Sequence, residues 1–192
     1  MVAGLLLAAG AGRRLGGRPK ALLPFRGGLL VEHAAQTLVL GGCDPVYVVL
    51  GAADVPSLEG CIKVHNGEWA TGMASSLRAG LAALSPETSA VVVLLVDQPG
   101  ITPEAVRRVI SAHDQDATVA VATYRGERGH PILFDRAHFR AISQSATGDS
   151  GARAFLHEHP QLVTAVPCDD IADPADIDFP ADLTAWIGKA TY

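Results

Sequence analysis

The sequence predicts an α/β fold in which a mainly parallel sheet carries helices on both faces. Apolar runs of strand length alternate with stretches of helical period along the chain, which is the order expected of βαβ units. The run at 90–96 contains only Ala, Val and Leu, as expected for a central strand buried on both faces. With 192 residues, 48% of them apolar and 18% charged, we expect a single domain over 1–192.

Seven strands and six helices are expected in alternation. The strands are apolar runs bounded by glycine, proline or polar residues, at 2–8, 46–50, 61–65, 90–96, 118–123, 131–134 and 162–167. The helices are expected at 30–40, 73–84, 103–113, 136–143, 151–157 and 181–187. Gly41 and Gly42 favour an end to the first helix, whereas Thr102 and Pro103 suit the N-cap and first position of the third.

Charge and cysteine content exclude several classes of protein. The net charge of −5 argues against a generally basic nucleic-acid or membrane-surface binder. The N-terminal apolar run has no preceding positive residue, so it resembles a strand more than a secretory signal. The longest aliphatic run is far shorter than the roughly 20 residues of a membrane-spanning helix. Three widely spaced cysteines, with no C-x-x-C pair, favour free thiols in a reducing cytoplasm.

The first strand leads directly into a glycine-rich, cationic loop. Gly10 and Gly12 allow backbone N–H groups to approach an anion, and Arg14 and Lys20 add charge-assisted contacts. Leu15 stands where the dinucleotide fingerprint requires its third glycine, and no Gly-Lys-Ser/Thr closes a Walker loop. The pattern favours a phosphate-binding loop, and the alternative is a flexible basic turn.

Two aspartates are candidate ligands of Mg²⁺. Asp97 follows the most buried strand, and parallel sheets bind ligands at the carboxyl ends of their strands. Asp178 precedes a helix that begins near Pro180, so metal binding and helix capping are equally compatible with its position. A capping role is also the alternative for Asp97. Two polar turns, around His130 and Asp149, either line a substrate pocket or only connect elements.

Six segments in order resemble the MobA-like nucleotidyltransferases, and among them the molybdenum cofactor cytidylyltransferase branch. The similarity extends over nearly the whole chain, although each segment alone is weakly specific. The segments are 7–16 with 20–24, His65-Asn66 to Leu81, Asp97-Gln98-Pro99, Gly129-His130-Pro131, 148–153 and Asp176-Ile177-Asp178. The loop before Lys20 is one residue longer than in most relatives, and Gln98 replaces the usual methionine.

The resemblance implies a Rossmann-like, three-layer α/β/α fold of the nucleotide-diphospho-sugar transferase type. It also implies transfer of a nucleoside monophosphate from an NTP to a phosphorylated acceptor. Arg14, Lys20 and Asp97 would be catalytic, Asp97 and Asp178 would hold Mg²⁺, and His130 and Asp149 would face the acceptor. The implied nucleotide-binding residues are Ala8, Ala9, Gly10, Gly12, Arg14, Lys20, Gly72 and Ser76. An ionised acceptor phosphate needs no general base, which agrees with the lack of a nucleophile motif in the sequence.

Ala9 is the reason for expecting CTP as the donor, because the Ala-Ala-Gly form of the loop is similar to that of the cytidylyl branch. The acceptor implied by the resemblance is the phosphate of Mo-molybdopterin. The resemblance then makes a molybdoenzyme of the hydroxylase type the candidate partner. Two alternatives stay open: a cytidylyltransferase for a sugar or alditol phosphate, and a non-catalytic nucleotide-binding or cofactor-delivery protein. The intact Arg14, Lys20 and Asp97 argue against the second.

Overall fold

The computed structural model describes residues 1–55 and 58–189, with Lys189 described by its backbone alone. The strands are β1 (Val2–Leu7), β2 (Pro24–Phe25), β3 (Gly28–Leu29), β4 (Val46–Leu50), β5 (Cys61–His65), β6 (Ala90–Leu95), β7 (Val119–Tyr124), β8 (Glu127–Asp135) and β9 (Val163–Pro167). The helices are α1 (Leu30–Leu40), α2 (Met73–Ala83), α3 (Pro103–Asp114), α4 (Phe139–Ser145), α5 (Arg153–Glu158) and α6 (Pro180–Lys189).

Seven strands form one sheet in the order β5-β4-β1-β6-β8-β7-β9. All neighbours in it are parallel except β8, which runs antiparallel to both β6 and β7. Leu6 of β1 lies opposite Val48 of β4 and Leu94 of β6. The carboxyl ends of β1 and β6 therefore lie side by side in the middle of the sheet, and the predicted, mainly parallel α/β class is confirmed.

Neighbouring residues of one strand pack into apolar layers on opposite faces of the sheet. Leu6 and Leu94 belong to the apolar cluster that contains residues of α1, α3 and α6. Leu5 and Val93 belong to the cluster that contains residues of α2, α4 and α5. The structure thus has the expected three layers. Thr102 caps α3 as predicted, since its hydroxyl accepts the N–H of Ala105 at 3.3 Å.

Two features differ from the sequence prediction. The short strand expected at 131–134 is the nine-residue β8, which a hairpin joins to β7. Its turn places Arg125 and Gly126 at φ 52° and 81°, the left-handed pair of a tight hairpin turn. Strands β2 and β3 form a second, two-stranded sheet that was not predicted. Elements of two residues are too short to show an apolar period.

The state of the cysteines and the length of the helices agree with what the sequence predicts. Cys43, Cys61 and Cys168 are free, and burial raises the pKa of Cys43 to about 12, so that its thiol stays protonated at neutral pH. Among the described residues, no helix has both the length and the apolar character needed to cross a membrane.

Candidate active site

The glycine-rich loop folds back on itself at the carboxyl end of β1. Gly12 has φ 61°, and a Cβ there would collide with the backbone carbonyl of Arg18. Its own carbonyl accepts the N–H groups of Leu15 and Gly17 at 2.8 and 3.1 Å. Only glycine fits this position without strain, and the resulting fold brings Lys20 close to the end of β6.

Lys20 joins two carboxylates that are distant in sequence. Its Nζ lies 2.6 Å from Oδ2 of Asp97 and 2.8 Å from Oδ1 of Asp178. Only 17% of the Lys20 side chain is exposed, against 20% for Asp97 and 39% for Asp178. Burial alone would lower the pKa of Lys20, but the two carboxylates raise it above its usual value, so the ammonium stays charged. The longer loop does not prevent Lys20 from reaching the acids.

The geometry around Asp178 separates its carboxylate from helix capping. The backbone N–H groups of Asp178 and Phe179 donate to the carboxylate of Asp182, at 2.9 and 2.7 Å. Asp182 thus provides side-chain capping at the start of α6, while the Asp178 carboxylate contacts Lys20 and, at 3.4 Å, Arg14. The hydrogen bond from Lys20 lowers the pKa of Asp178, and the charges of Lys20 and Arg14 add to the effect.

The carboxylates of Asp97 and Asp178 offer two oxygen ligands, and both already contact one cation, the Lys20 ammonium. The N–H group of Ile177 donates to the carbonyl of Asp97 at 2.8 Å, which fixes the two segments side by side. Mg²⁺ is usually held by one or two carboxylates together with phosphate and water oxygens, so the pair fits that ion. Within 1–55 and 58–189, no three or more His, Cys, Asp and Glu side chains form a metal-binding cluster.

A smaller cavity of about 310 Å³ opens between the glycine-rich loop, the end of β6 and the start of α2. Its wall includes most of the residues predicted to bind nucleotide. These are Ala9, Gly10, Gly12, Lys20, Gly72 and Ser76, and Asp97 and Asp149 join them. Three residues predicted to bind the nucleotide or the metal do not line this cavity. Ala8 is buried below the loop, where its N–H donates to the carbonyl of Val49. Arg14 and Asp178 contact each other beside Lys20.

A buried polar network supports the wall at the start of α2. Asn66 Nδ2 donates to the hydroxyls of Ser75 and Ser76, at 2.8 and 3.0 Å, and all three residues are buried. Gly72 has φ 116°, and a Cβ there would come within 2.5 Å of the Gly148 carbonyl oxygen. The network therefore anchors Ser76, which lines the cavity, and gives a structural role to Asn66, a residue absent from the predicted site.

A larger cavity of about 1140 Å³ adjoins the smaller one, and Asp149 lies on the wall of both. The Asp149 carboxylate also accepts the N–H of Met73 at 3.4 Å, at the start of α2. His130 lines the larger cavity. Burial lowers the pKa of His130 to about 4, and the charge of Arg153 contributes. The imidazole is therefore neutral at pH 7.

Several residues on these walls were not among the predicted site residues. Arg13, rather than Arg14, lines the smaller cavity, together with Trp69. The larger cavity carries three exposed arginines, and Gln98, Asp173 and Asp176 come from other segments. The arginines are Arg125, Arg128 and Arg153. Arg13, Gln98, Arg153 and Asp176 belong to the motifs described above, so their segments carried a signal. Arg125 and Arg128 depend on the unpredicted hairpin.

A glycine-rich loop after the first parallel strand, a lysine held by two carboxylates and two adjoining cavities define an α/β protein of the nucleotidyltransferase type. The sequence agrees with this class. Residues 4–163 match the family model of the MobA-like NTP transferase domain, and the chain belongs to that family.

Similar proteins differ in what their names record. The chain is 42% identical over 189 residues to a nicotine blue oxidoreductase from Paenarthrobacter nicotinovorans, with 92% of each chain covered. It is 30% identical to Rv0371c from Mycobacterium tuberculosis H37Rv, with a TM-score of 0.84 and 97% of each chain covered. A structure of Rv0371C in complex with manganese is 27% identical, with a TM-score of 0.78 and coverage of 97% of this chain and 98% of the other.

Proposed function

We propose that this protein transfers CMP from CTP to a phosphorylated acceptor, with Mo-molybdopterin as the acceptor and molybdopterin cytosine dinucleotide and pyrophosphate as products. The observation that carries the proposal is Lys20, held between Asp97 and Asp178 on the edge of a cavity that also contains the glycine-rich loop. Such a cation beside backbone N–H groups is suited to a triphosphate.

The smaller cavity is the proposed CTP site. Backbone groups of residues 9–12 and the Lys20 ammonium would hold the triphosphate, with Arg14 nearby, while Gly72 and Ser76 would face the base and ribose. The Ala9 side chain is 6% exposed on this wall. The Ala-Ala-Gly form of the loop, which is similar to that of the cytidylyl branch, supports CTP over GTP as the donor.

The proposed reaction forms one bond and breaks one. An oxygen of the acceptor phosphate attacks the α-phosphorus of CTP, and the bridging α–β P–O bond breaks, so that pyrophosphate leaves with the electron pair. No proton has to be removed from the acceptor because its phosphate is already ionised. Catalysis then consists of positioning the reactants and neutralising charge. Lys20 and Arg14 would provide positive charge where the pyrophosphate develops.

Asp97 and Asp178 are the proposed ligands of a divalent cation, Mg²⁺. When bound, the ion would neutralise phosphate charge and help to orient the triphosphate. Lys20, which contacts the same two acids here, would then contact the phosphates instead. The manganese complex of the related Rv0371C supports a divalent cation in this family.

The larger cavity is the proposed acceptor site, and Asp149 lies where the two substrates would meet. His130 is neutral at pH 7, so it would provide a hydrogen bond and not a charge. The acceptor phosphate would be met by exposed arginines such as Arg153. A molybdoenzyme of the hydroxylase type is the proposed recipient of the product, and the free thiols are compatible with the cytoplasm as the proposed location.

Pyrophosphate release from each of the four NTPs, with Mg²⁺ and a panel of phosphorylated acceptors, tests this function. We expect release with CTP and Mo-molybdopterin, accompanied by the cytosine dinucleotide. Release only with a sugar or alditol phosphate would instead identify the alternative cytidylyltransferase. Nucleotide binding without release from any combination would favour a delivery protein.

The name of the 42% identical relative favours an oxidoreductase as the second candidate function. The cavity beside the glycine-rich loop would then hold a reduced dinucleotide, although Leu15 replaces the third glycine of that fingerprint. Incubation with nicotine blue and NADH or NADPH, followed by absorbance, tests this candidate. Loss of the dye's absorbance with no pyrophosphate release in the first assay would replace our proposal.

A further inference from the structure

The segment between β6 and α3, which carries Asp97, is held by hydrogen bonds from two sides. On one side, the N–H group of Ile177 donates to the carbonyl of Asp97 at 2.8 Å. The N–H group of Asp173 donates to the carbonyl of Gly100 at 3.1 Å. Both donors belong to the segment after β9. The carbonyl of the buried Pro99, which lies between these two anchors in sequence, has its donor on the other side.

That donor is the imidazole of His33, on α1. Nε2 of His33 lies 3.0 Å from the carbonyl oxygen of Pro99, although 66 residues separate the two in sequence. Burial lowers the pKa of His33 below its usual value, and the charge of Arg26 adds to this effect, while the bond to Pro99 opposes it. The imidazole is therefore neutral at pH 7. Because a carbonyl only accepts hydrogen bonds, the single ring hydrogen is on Nε2.

The small sheet of β2 and β3 packs against the same imidazole. The ring of Phe25, on β2, is 2% exposed, and its centroid lies 4.9 Å from that of the His33 ring. The guanidinium of Arg26, in the turn between β2 and β3, lies 5.2 Å from the centroid of the Phe25 ring. The hairpin has no part in the proposed reaction, so its contact with His33 gives it a role beside the site.

We propose that His33 is a positioning residue for Asp97: its Nε2–H group holds the carbonyl of Pro99 and so fixes the segment from which the Asp97 carboxylate reaches the divalent cation. Without this donor, the carbonyl of a buried proline would have no partner, and such groups are seldom left unpaired. The segment would then shift toward water or another donor, and Asp97 would shift with it. The inference rests on the proposed function, because it takes Asp97 as a metal ligand.

Binding of Mn²⁺, measured from the EPR signal of the free ion, tests this inference without turnover. His33→Phe keeps a ring beside Phe25 and removes the donor. It should raise the Kd for Mn²⁺ about tenfold, the lower end of the roughly 10- to 100-fold loss that removal of an outer partner of a metal site causes. His33→Gln restores an N–H donor and should bind Mn²⁺ as tightly as the parent.

His113→Phe is the matched control. His113 lies on α3, and its Nδ1 lies 2.9 Å from the carbonyl oxygen of Ala117. Ala117 precedes β7, at the opposite edge of the sheet from Asp97. Both phenylalanine variants remove a bond from an imidazole to a carbonyl and should lower Tm, but only His33→Phe should weaken Mn²⁺ binding. A merely structural role of His33 predicts no such difference.

The same Mn²⁺ affinity in His33→Phe as in the parent would overturn the inference, as would an equal loss in His33→Gln or in His113→Phe. A parent that binds no Mn²⁺ would overturn it as well. If His33→Phe does not fold, His33→Asn replaces it in the comparison, because its amide is one methylene shorter than that of glutamine and does not reach Pro99. Failure of the proposed function is distinct, since it would appear as Mn²⁺ binding that depends on His33 without any CMP transfer.

Discussion

Replacing Lys20 by methionine tests the central contact of the site. The substitution keeps a chain of similar length and removes the ammonium from between Asp97 and Asp178. Nζ of Lys20 lies 2.6 Å from Oδ2 of Asp97. At an effective dielectric constant of about 20, two unit charges at this distance attract each other by roughly 6 kcal/mol. Desolvation of the two groups offsets part of this attraction.

The catalytic effect should be smaller than the gross attraction. Removing one group that stabilises developing charge typically costs about 2.7 to 4 kcal/mol, or roughly 100- to 1,000-fold in rate. We therefore expect Lys20→Met to lower the kcat of CTP-dependent pyrophosphate release by that factor. Since Asp97 and Asp178 would lose their shared cation, the variant should also bind Mg²⁺ alone more tightly than the parent.

The assay is pyrophosphate release under saturating CTP and acceptor, together with Mg²⁺ titration by calorimetry. Lys63→Met is the control, because Lys63 pairs with an 85% exposed Asp54 and surface pairs contribute roughly 0 to 1 kcal/mol. A kcat within about threefold of the parent would refute the catalytic role of Lys20. Unchanged Mg²⁺ affinity would refute the shared use of the two acids.

Three further predictions concern other residues of the site. Asp178→Asn should raise the Mg²⁺ concentration for half-maximal turnover with little change in Tm, whereas Asp182→Ala should lower stability by about 1 kcal/mol with normal Mg²⁺ dependence; the reverse pattern would return Asp178 to a capping role. The parent should have a higher kcat/KM with CTP than with GTP, and Ala9→Gly should reduce that ratio; a parent that prefers GTP would rule out the cytidylyl assignment. Because the pKa of His130 is lowered from 6.5 to about 4, its neutral form stabilises the fold above pH 6.5, and this contribution is lost as the pH falls toward 4. At 1.36 kcal/mol per pKa unit the loss approaches roughly 3 kcal/mol, and urea denaturation at pH 7 and pH 4 should show a smaller difference for His130→Gln than for the parent.

Most of the fold was predictable because the helices and the seven strands of the main sheet are long enough to show their own apolar period. The antiparallel direction of β8 was not predictable from the sequence. It depends on a left-handed conformation at Arg125, a residue type that seldom adopts one, so the residue type gives no indication of the turn. The hairpin of β2 and β3 has the further difficulty that each strand is only two residues long.

The candidate site was predictable where a motif follows the end of a strand, as with the glycine-rich loop after β1 and Asp97 after β6. Asp178 had two equally good interpretations, since an acid before a proline suits a cap and a ligand alike. What separates them is the contact with Lys20, 158 residues away, together with the competing carboxylate of Asp182. Gln98 was not among the predicted site residues, because nothing local to its sequence reveals that its amide nitrogen contacts the carbonyl of Pro174.

The position of Asp178 makes the site sensitive to partial unfolding. The segment after β9 is joined to the end of β6 through the hydrogen bonds Ile177 N–H to Asp97 and Asp173 N–H to Gly100. If this segment separated from the sheet, one carboxylate and part of the larger cavity's wall would be lost together, while β1 and its loop stayed in place. A ligand that contacts this segment therefore stabilises its attachment to the sheet, by about 2.7 kcal/mol when the ligand is present at 100 times its Kd. Occupancy of the larger cavity should consequently slow amide hydrogen exchange in residues 168–189 more than in the glycine-rich loop.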